Sequence, residues 1–214
     1  MFRVKICGIT TAKDAEMAAS LGADAVGINF YRGSRRYVSP ADAVSIVGAI
    51  RGKAVPVAVF VDETPEAIGE ICRKLRIDTV QLSGNEPPVI AKRIALRRIK
   101  AIHLREGLEV GAFENYPCEA FLVDAESPGE FGGTGKTLEW GRIGGTKLRK
   151  QWILAGGLTP VNVLNAIHLA RPYGVDVASG VEVQPGKKDP AKVRQFIINA
   201  MKGLCIERKY QEKK

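Results

Sequence analysis

Two residues of opposite chemical habit close apolar runs of this sequence and offer a base and an acid: Cys7 at the end of Arg3–Cys7, and Asp124 at the end of Ala120–Asp124. A free thiol titrates near about 8.5 and becomes a base where positive charge or a helix dipole populates the thiolate. A carboxyl group keeps a proton at neutral pH where burial raises its pKa. Each also has a plainer reading, Cys7 as a small buried hydrophobe and Asp124 as a loop cap bonded to backbone N–H groups. Arg36, within Tyr31-Arg32-Gly33-Ser34-Arg35-Arg36-Tyr37, carries a guanidinium fork suited to a carboxylate; solvation in a loop is its plainer reading. Three glycine turns follow late apolar runs: Gly132-Gly133-Thr134-Gly135-Lys136, Ala155-Gly156-Gly157-Leu158 and Ala178-Ser179-Gly180-Val181-Glu182. Paired glycines alone mark tight turns, but three at successive strand ends let backbone N–H groups close on an anion. A phosphate cradle is expected at Gly133, Thr134, Gly135, Gly156, Gly157, Ser179 and Gly180.

The elements that must position these groups repeat along the chain. Eight β-rich runs are expected: Arg3–Cys7, Ala25–Phe30, Val55–Val61, Thr79–Leu82, Ile99–His103, Ala120–Asp124, Trp152–Ala155 and Val175–Ser179. Between most of them lie amphipathic helical stretches, the pattern of βα units and a parallel sheet. Ser39-Pro40, Thr64-Pro65, Thr159-Pro160 and Asp189-Pro190 each set a capping side chain before a proline at the first helical position. Thr11 with Asp14 reads as a capping box with Asp in place of Glu, and Gly22 and Gly52 as helix stops. Pro87-Pro88 and Gly144-Gly145 make the helices of the fourth to sixth connections short or distorted. An open doubly wound sheet would carry its Gly-x-Gly-x-x-Gly turn after the first strand, whereas here the glycine turns come late. That order suits a closed (β/α)8 TIM barrel, whose phosphate site is built from loops after strands seven and eight. The expected organisation is α/β: a single barrel domain over residues 1–202 with short helices, then a short tail over 203–214.

Composition narrows the function classes. The chain has 214 residues, 45% hydrophobic and 26% charged, which suits one globular core. No run approaches the length of a membrane span, and Met1-Phe2-Arg3-Val4-Lys5-Ile6 opens without the apolar segment of a secretory leader. A cytoplasmic location and no membrane partner are expected. Four scattered cysteines without a Cys-x-x-Cys pair, and only His103 and His168 as imidazoles, argue against a metal site. The net charge of +9 lies in runs without interleaved aromatics, so nucleic acid is not expected; the charge would instead draw in an anionic small molecule.

Taken together, Lys5-Ile6-Cys7-Gly8-Ile9-Thr10, Gly27-Ile28-Asn29-Phe30 with Ser34 and Arg36, Phe60-Val61, Val123-Asp124 with Gly132-Gly133-Thr134-Gly135 and Trp140, Ala155-Gly156-Gly157-Leu158 and Ser179-Gly180-Val181-Glu182 resemble phosphoribosylanthranilate isomerase of tryptophan biosynthesis. The resemblance spans roughly residues 2–202. It implies an Amadori rearrangement of N-(5′-phosphoribosyl)anthranilate, with Asp124 as general acid at the ribose ring oxygen and Cys7 as general base at C2′. It further implies Arg36 as partner of the anthranilate carboxylate, Asp176 on the anthranilate side, and no cofactor. A monomer or homodimer is expected. Ser83 stands where the family often has His, and Asp62 where Asn is frequent; neither carries the acid–base chemistry. Two other readings are open: a barrel isomerase acting on the related histidine-pathway ribonucleotide, expected to use a carboxylate where this chain has Cys7, and a sensor that binds a phosphorylated ligand without turnover.

Overall fold

The computed structural model describes residues 1–103, 110–124, 140 and 148–211. Eight parallel strands close into a barrel in chain order: β1 (Val4–Ile6), β2 (Ala25–Asn29), β3 (Val55–Phe60), β4 (Thr79–Leu82), β5 (Arg97–His103), β6 (Ala120–Asp124), β7 (Gln151–Ala155) and β8 (Gly174–Val177). The last pairs with the first in the register Val4↔Val175, Lys5↔Asp176 and Ile6↔Val177. The fold is the expected (β/α)8 barrel.

Side chains along a strand alternate between faces, and the apolar core accordingly divides in two. An inner cluster of Phe2, Ala25, Val57, Ile99, Ala101, Leu122, Ile153 and Ala155 fills the barrel. An outer cluster, including Ile6, Ile28, Phe60, Leu82, Phe121 and Val175, packs beneath the helices. Inward residues are therefore those in phase with Ala25, Ala101 and Leu122, which fixes where Asn29, His103 and Asp124 point.

The helices begin largely where the capping residues require. In α1 (Ala12–Ser20), α2 (Pro40–Ala49) and α3 (Pro65–Leu75), the hydroxyls of Thr11, Ser39 and Thr64 accept from the N–H three residues on. The capping box of α1 is incomplete: the Asp14 carboxylate accepts from the Lys188 N–H at 3.0 Å, tying α1 to the other end of the chain. Helix α4 (Pro88–Lys92) is one turn long, as the prolines imply. Thr159-Pro160 opens a turn and not the helix itself, since α5 spans Val163–Ala170; Thr159 and Asn162 exchange side chain to backbone hydrogen bonds and delay its start.

Two further differences bear on the expected boundaries. After β8 the chain makes a 3-10 turn at Ser179–Val181 and a small antiparallel hairpin, β9 (Glu182–Gln184) with β10 (Lys187–Lys188), which no sequence pattern signalled. Residues 203–211, expected to be a tail past the last helix, instead continue α6 (Pro190–Gln211) as one 22-residue helix. Leu204 and Glu207 are buried there, and Glu207 accepts from His168 at 3.1 Å, so burial holds the segment in helical form. Among the described residues no helix is long and apolar enough to cross a membrane.

Candidate active site

The C-terminal rim of the barrel gathers the chemistry. Strand β1 ends at Ile6, so Cys7 lies one residue beyond it, yet its N–H still donates to the Val177 carbonyl at 2.8 Å and continues the ladder. Its side chain follows Lys5 on the inward face and is half-buried. Gly27 on the neighbouring strand makes room for it: a β carbon at Gly27 would stand 2.6 Å from Cys7 Sγ. Two residues below the thiol, Lys5 is fully buried with Nζ 2.8 Å from Asp176 Oδ1. Burial opposes the charge on Lys5, but Asp176 and then Cys7 outweigh it and hold the ammonium above its ordinary pKa. For Cys7 the balance is reversed. Burial is the largest influence and pushes the thiol up, while Lys5 and more weakly Lys188 pull it down. The resting sulfur therefore carries its proton at neutral pH.

Asp124 closes β6 on the same inward face, with its side chain 26% exposed. It lies within electrostatic reach of Asp176, whose carboxyl is raised by burial and further by the charge of Asp124. Beside it, His103 at the end of β5 places Nδ1 3.7 Å from Asp124 Oδ2 and Nε2 3.1 Å from the Ser83 carbonyl oxygen. Asp124, foremost, raises the imidazole above its ordinary value, against an opposing effect of burial.

Arg36 reaches the rim from the loop after β2 and is gripped by Glu182: Nε to Oε1 at 2.9 Å and Nη2 to Oε2 at 2.6 Å. Lys188 Nζ completes the cluster, 2.8 Å from Glu182 Oε1 and 3.0 Å from the Ala178 carbonyl oxygen. Burial alone would raise Glu182; hydrogen bonds from Arg36 and Lys188 outweigh it and keep the carboxylate below the usual range. This clamp orients the guanidinium by a bidentate, charge-assisted contact.

The glycine turns after β7 and β8 lie against each other. Gly156 and Gly157 have φ of +86° and +61°, in the left-handed region that glycine enters without a Cβ clash. A β carbon at Gly180 would lie 1.9 Å from the Leu158 carbonyl oxygen, so these two loops meet at a distance that only glycine permits. Ser179, expected to end a strand, begins the 3-10 turn instead, because β8 stops at Val177. Gly133, Thr134 and Gly135 lie outside the described residues.

Thus Cys7, Asp124 and Asp176 share the inward face at one rim. Arg36 and the turns at Gly156-Gly157 and Ser179-Gly180 belong to loops of that same rim. The sequence reading missed Lys5, Glu182, Lys188 and His103. For Lys5 the signal was available: a lysine in phase with inward positions of an otherwise apolar strand needs a buried counter-charge. Among the described residues no group of three or more His, Cys, Asp or Glu side chains is placed to hold a metal ion.

Known proteins are similar to this chain over nearly its whole length. Residues 4–199 match the family model of N-(5′-phosphoribosyl)anthranilate (PRA) isomerase. The N-(5′-phosphoribosyl)anthranilate isomerase of Trichlorobacter lovleyi is 43% identical over 205 residues, covering 95% of this chain and 100% of that protein. The crystal structure of phosphoribosyl anthranilate isomerase from Thermotoga maritima superposes with a TM-score of 0.87 at 42% identity, covering 94% of this chain and 100% of that one. A structure of phosphoribosyl anthranilate isomerase in complex with reduced 1-(o-carboxyphenylamino)-1-deoxyribulose 5-phosphate has a TM-score of 0.83 at 40% identity, covering 94% and 100% of the two chains. By sequence and by fold, this chain belongs to the N-(5′-phosphoribosyl)anthranilate isomerase family.

Proposed function

We propose that the chain catalyses the conversion of N-(5′-phosphoribosyl)anthranilate to 1-(2-carboxyphenylamino)-1-deoxyribulose 5-phosphate, an aldose-to-ketose rearrangement in L-tryptophan biosynthesis. Besides family membership, one observation carries this reading: a thiol and a carboxyl group share the inward face of one barrel rim, each within electrostatic reach of Asp176.

The chemistry follows from those groups. Asp124 donates its proton to the ribose ring oxygen, the C1′–O bond breaks, and the anthranilate nitrogen supplies the electron pair of the resulting Schiff base. Cys7, as thiolate, removes the C2′ proton, and the electrons of that C–H bond form the enolamine, which tautomerises to the ketone. Base and acid need not both be ionised as required in the resting majority: a raised thiol pKa means that a minor species reacts, and each such group still contributes about a hundred- to ten-thousand-fold in rate. Lys5 is the fixed positive charge that keeps the thiolate accessible in a buried site. Arg36, held by Glu182, takes the anthranilate carboxylate, and Asp176 touches the anthranilate side of the ligand. Backbone N–H groups at Gly156, Gly157, Ser179 and Gly180 take the phosphate, and Gly133, Thr134 and Gly135 are assigned to the same cradle. The enzyme acts in the cytoplasm as a monomer or homodimer; a Thermotoga maritima relative is described as dimeric.

The test follows the fluorescence change when purified protein meets the substrate. Cys7→Ala and Asp124→Asn should each lower kcat at least about a hundredfold with unchanged circular dichroism. Turnover near wild type in either variant would remove that residue from the mechanism.

A further inference from the structure

His103 takes no part in the proton transfers just described, yet its ring lies beside the carboxylate of Asp124. Its two nitrogens face two oxygens. Nε2 lies 3.1 Å from the Ser83 carbonyl, an acceptor with no proton to give, so Nε2 must be the donor there. Nδ1 lies 3.7 Å from Asp124 Oδ2, an ion-pair separation that a small ring rotation closes to a hydrogen bond; sites without ligand are often loose in this way. With Nε2 fixed as a donor, the gap on the other side admits one proton. It sits either on Nδ1, giving imidazolium and carboxylate, or on Oδ2, giving neutral imidazole and carboxylic acid. The His103 side chain is 52% exposed and that of Asp124 is 26%, so the imidazole is the better placed of the two to exchange with water.

We propose that His103 is a positioning residue that holds, and restores from solvent, the single proton that Asp124 delivers. The inference rests on the role given to Asp124 above. When the Asp124 O–H bond breaks and the ring oxygen takes the proton, the pair is left as carboxylate and neutral imidazole. Water then reloads Nδ1, and the pair returns to its one-proton state. Among the described residues the charges that bear on His103 are Asp124 from β6 and Lys100 from its own strand, which opposes protonation, and Asp124 lies in turn in the field of Asp176 from β8. Asp124 is the foremost influence raising the imidazole, as a proton held between the two groups requires.

The chain contains two histidines, His103 and His168, so imidazole nitrogen NMR reads each one separately, with His103→Gln assigning the signals. The expected result is that His103 titrates above its ordinary value, that its neutral form carries the proton on Nε2, and that Asp124→Asn moves its titration down toward the ordinary value. In wild type, log kcat against pH should bend downward at the His103 titration point, its slope falling by about one as the pair loses its proton. In His103→Gln that bend should vanish, with KM and circular dichroism unchanged. A titration unmoved by Asp124→Asn, a neutral ring protonated on Nδ1, or a bend that survives His103→Gln would overturn the proposal. Absence of any turnover by the wild type would instead fail the reading of the reaction, and the NMR titration would still decide whether the two groups share a proton.

Discussion

Lys5→Met keeps the stem of the side chain and deletes a positive charge from the interior of the barrel. Asp176, 8% exposed, would lose its 2.8 Å partner and be left as a buried carboxyl group without a counter-ion. Removing one member of such a pair costs about 3–5 kcal/mol. At about 2–4 °C per kcal/mol for a domain of this size, Tm should fall by roughly 6–20 °C. A second change follows at the thiol. Lys5 is the strongest influence pulling Cys7 down, so without it the sulfur should ionise at still higher pH. Differential scanning calorimetry reads the first effect. The second is read by the pH dependence of Cys7 alkylation in a Cys205→Ser background, because Cys205 is exposed whereas Cys72 and Cys118 are buried. The double variant Lys5→Met/Asp176→Asn should recover part of the lost Tm, since it removes the stranded charge. A Tm of Lys5→Met within about 2 °C of wild type, less than 1 kcal/mol on the same scale, would refute the assigned energetics. An unshifted alkylation profile would refute the electrostatic link to Cys7.

Gly27→Ala places a β carbon 2.6 Å from Cys7 Sγ and should cost about 1–3 kcal/mol of overpacking while lowering turnover; adding Cys7→Ala should restore part of the lost Tm, since contacts of 3.1 Å to the Cys7 Cα and Lys5 Cε persist, but not activity. Glu182 is held below the usual carboxylate range, so the stability it contributes is present at neutral pH and lost as pH falls through its folded-state pKa. Glu182→Gln should therefore flatten the acid limb of Tm against pH, and it should raise KM by releasing Arg36; an unchanged KM would count against the clamp. Deleting residues 203–214 exposes the surface that covers Leu204 and should cost about 1.5–3 kcal/mol, a fall in Tm of roughly 3–12 °C by calorimetry. Wild-type stability after that deletion would mean that the last turns of α6 are idle.

The positions of the strands and most helix starts were legible in the sequence because they depend on local chemistry, and the closed barrel because the glycine turns come late in the chain. Alternating apolar runs, a hydroxyl before proline and a glycine past the last turn act within a few residues of themselves. What was not legible depends on partners distant in the chain. Asp14 completes no capping box because Lys188 claims its carboxylate, and residues 203–211 stay helical because Leu204 and Glu207 find burial. The β9–β10 hairpin is set largely by tertiary contacts: Thr10 Oγ1 donates to the Gly186 carbonyl at 2.6 Å, and Lys188 reaches Glu182. At the site, Cys7, Asp124 and Arg36 could be picked out because each ends a strand or occupies a rim loop. His103 could not, because its significance lies in the geometry between β5 and β6 and not in any spacing.

The pairs that define this mouth span nearly the whole chain: Lys5 and Asp176 are 171 residues apart, and Arg36 and Glu182 are 146 apart. Such contacts must wait for the longest loop closures in the molecule. During synthesis, which delivers the N-terminal units first, the lysine of the first strand has no counter-charge until the eighth strand has left the ribosome. A nascent chain can therefore zip its middle strands early but can seal the ring, and with it gain a working centre, only at the end.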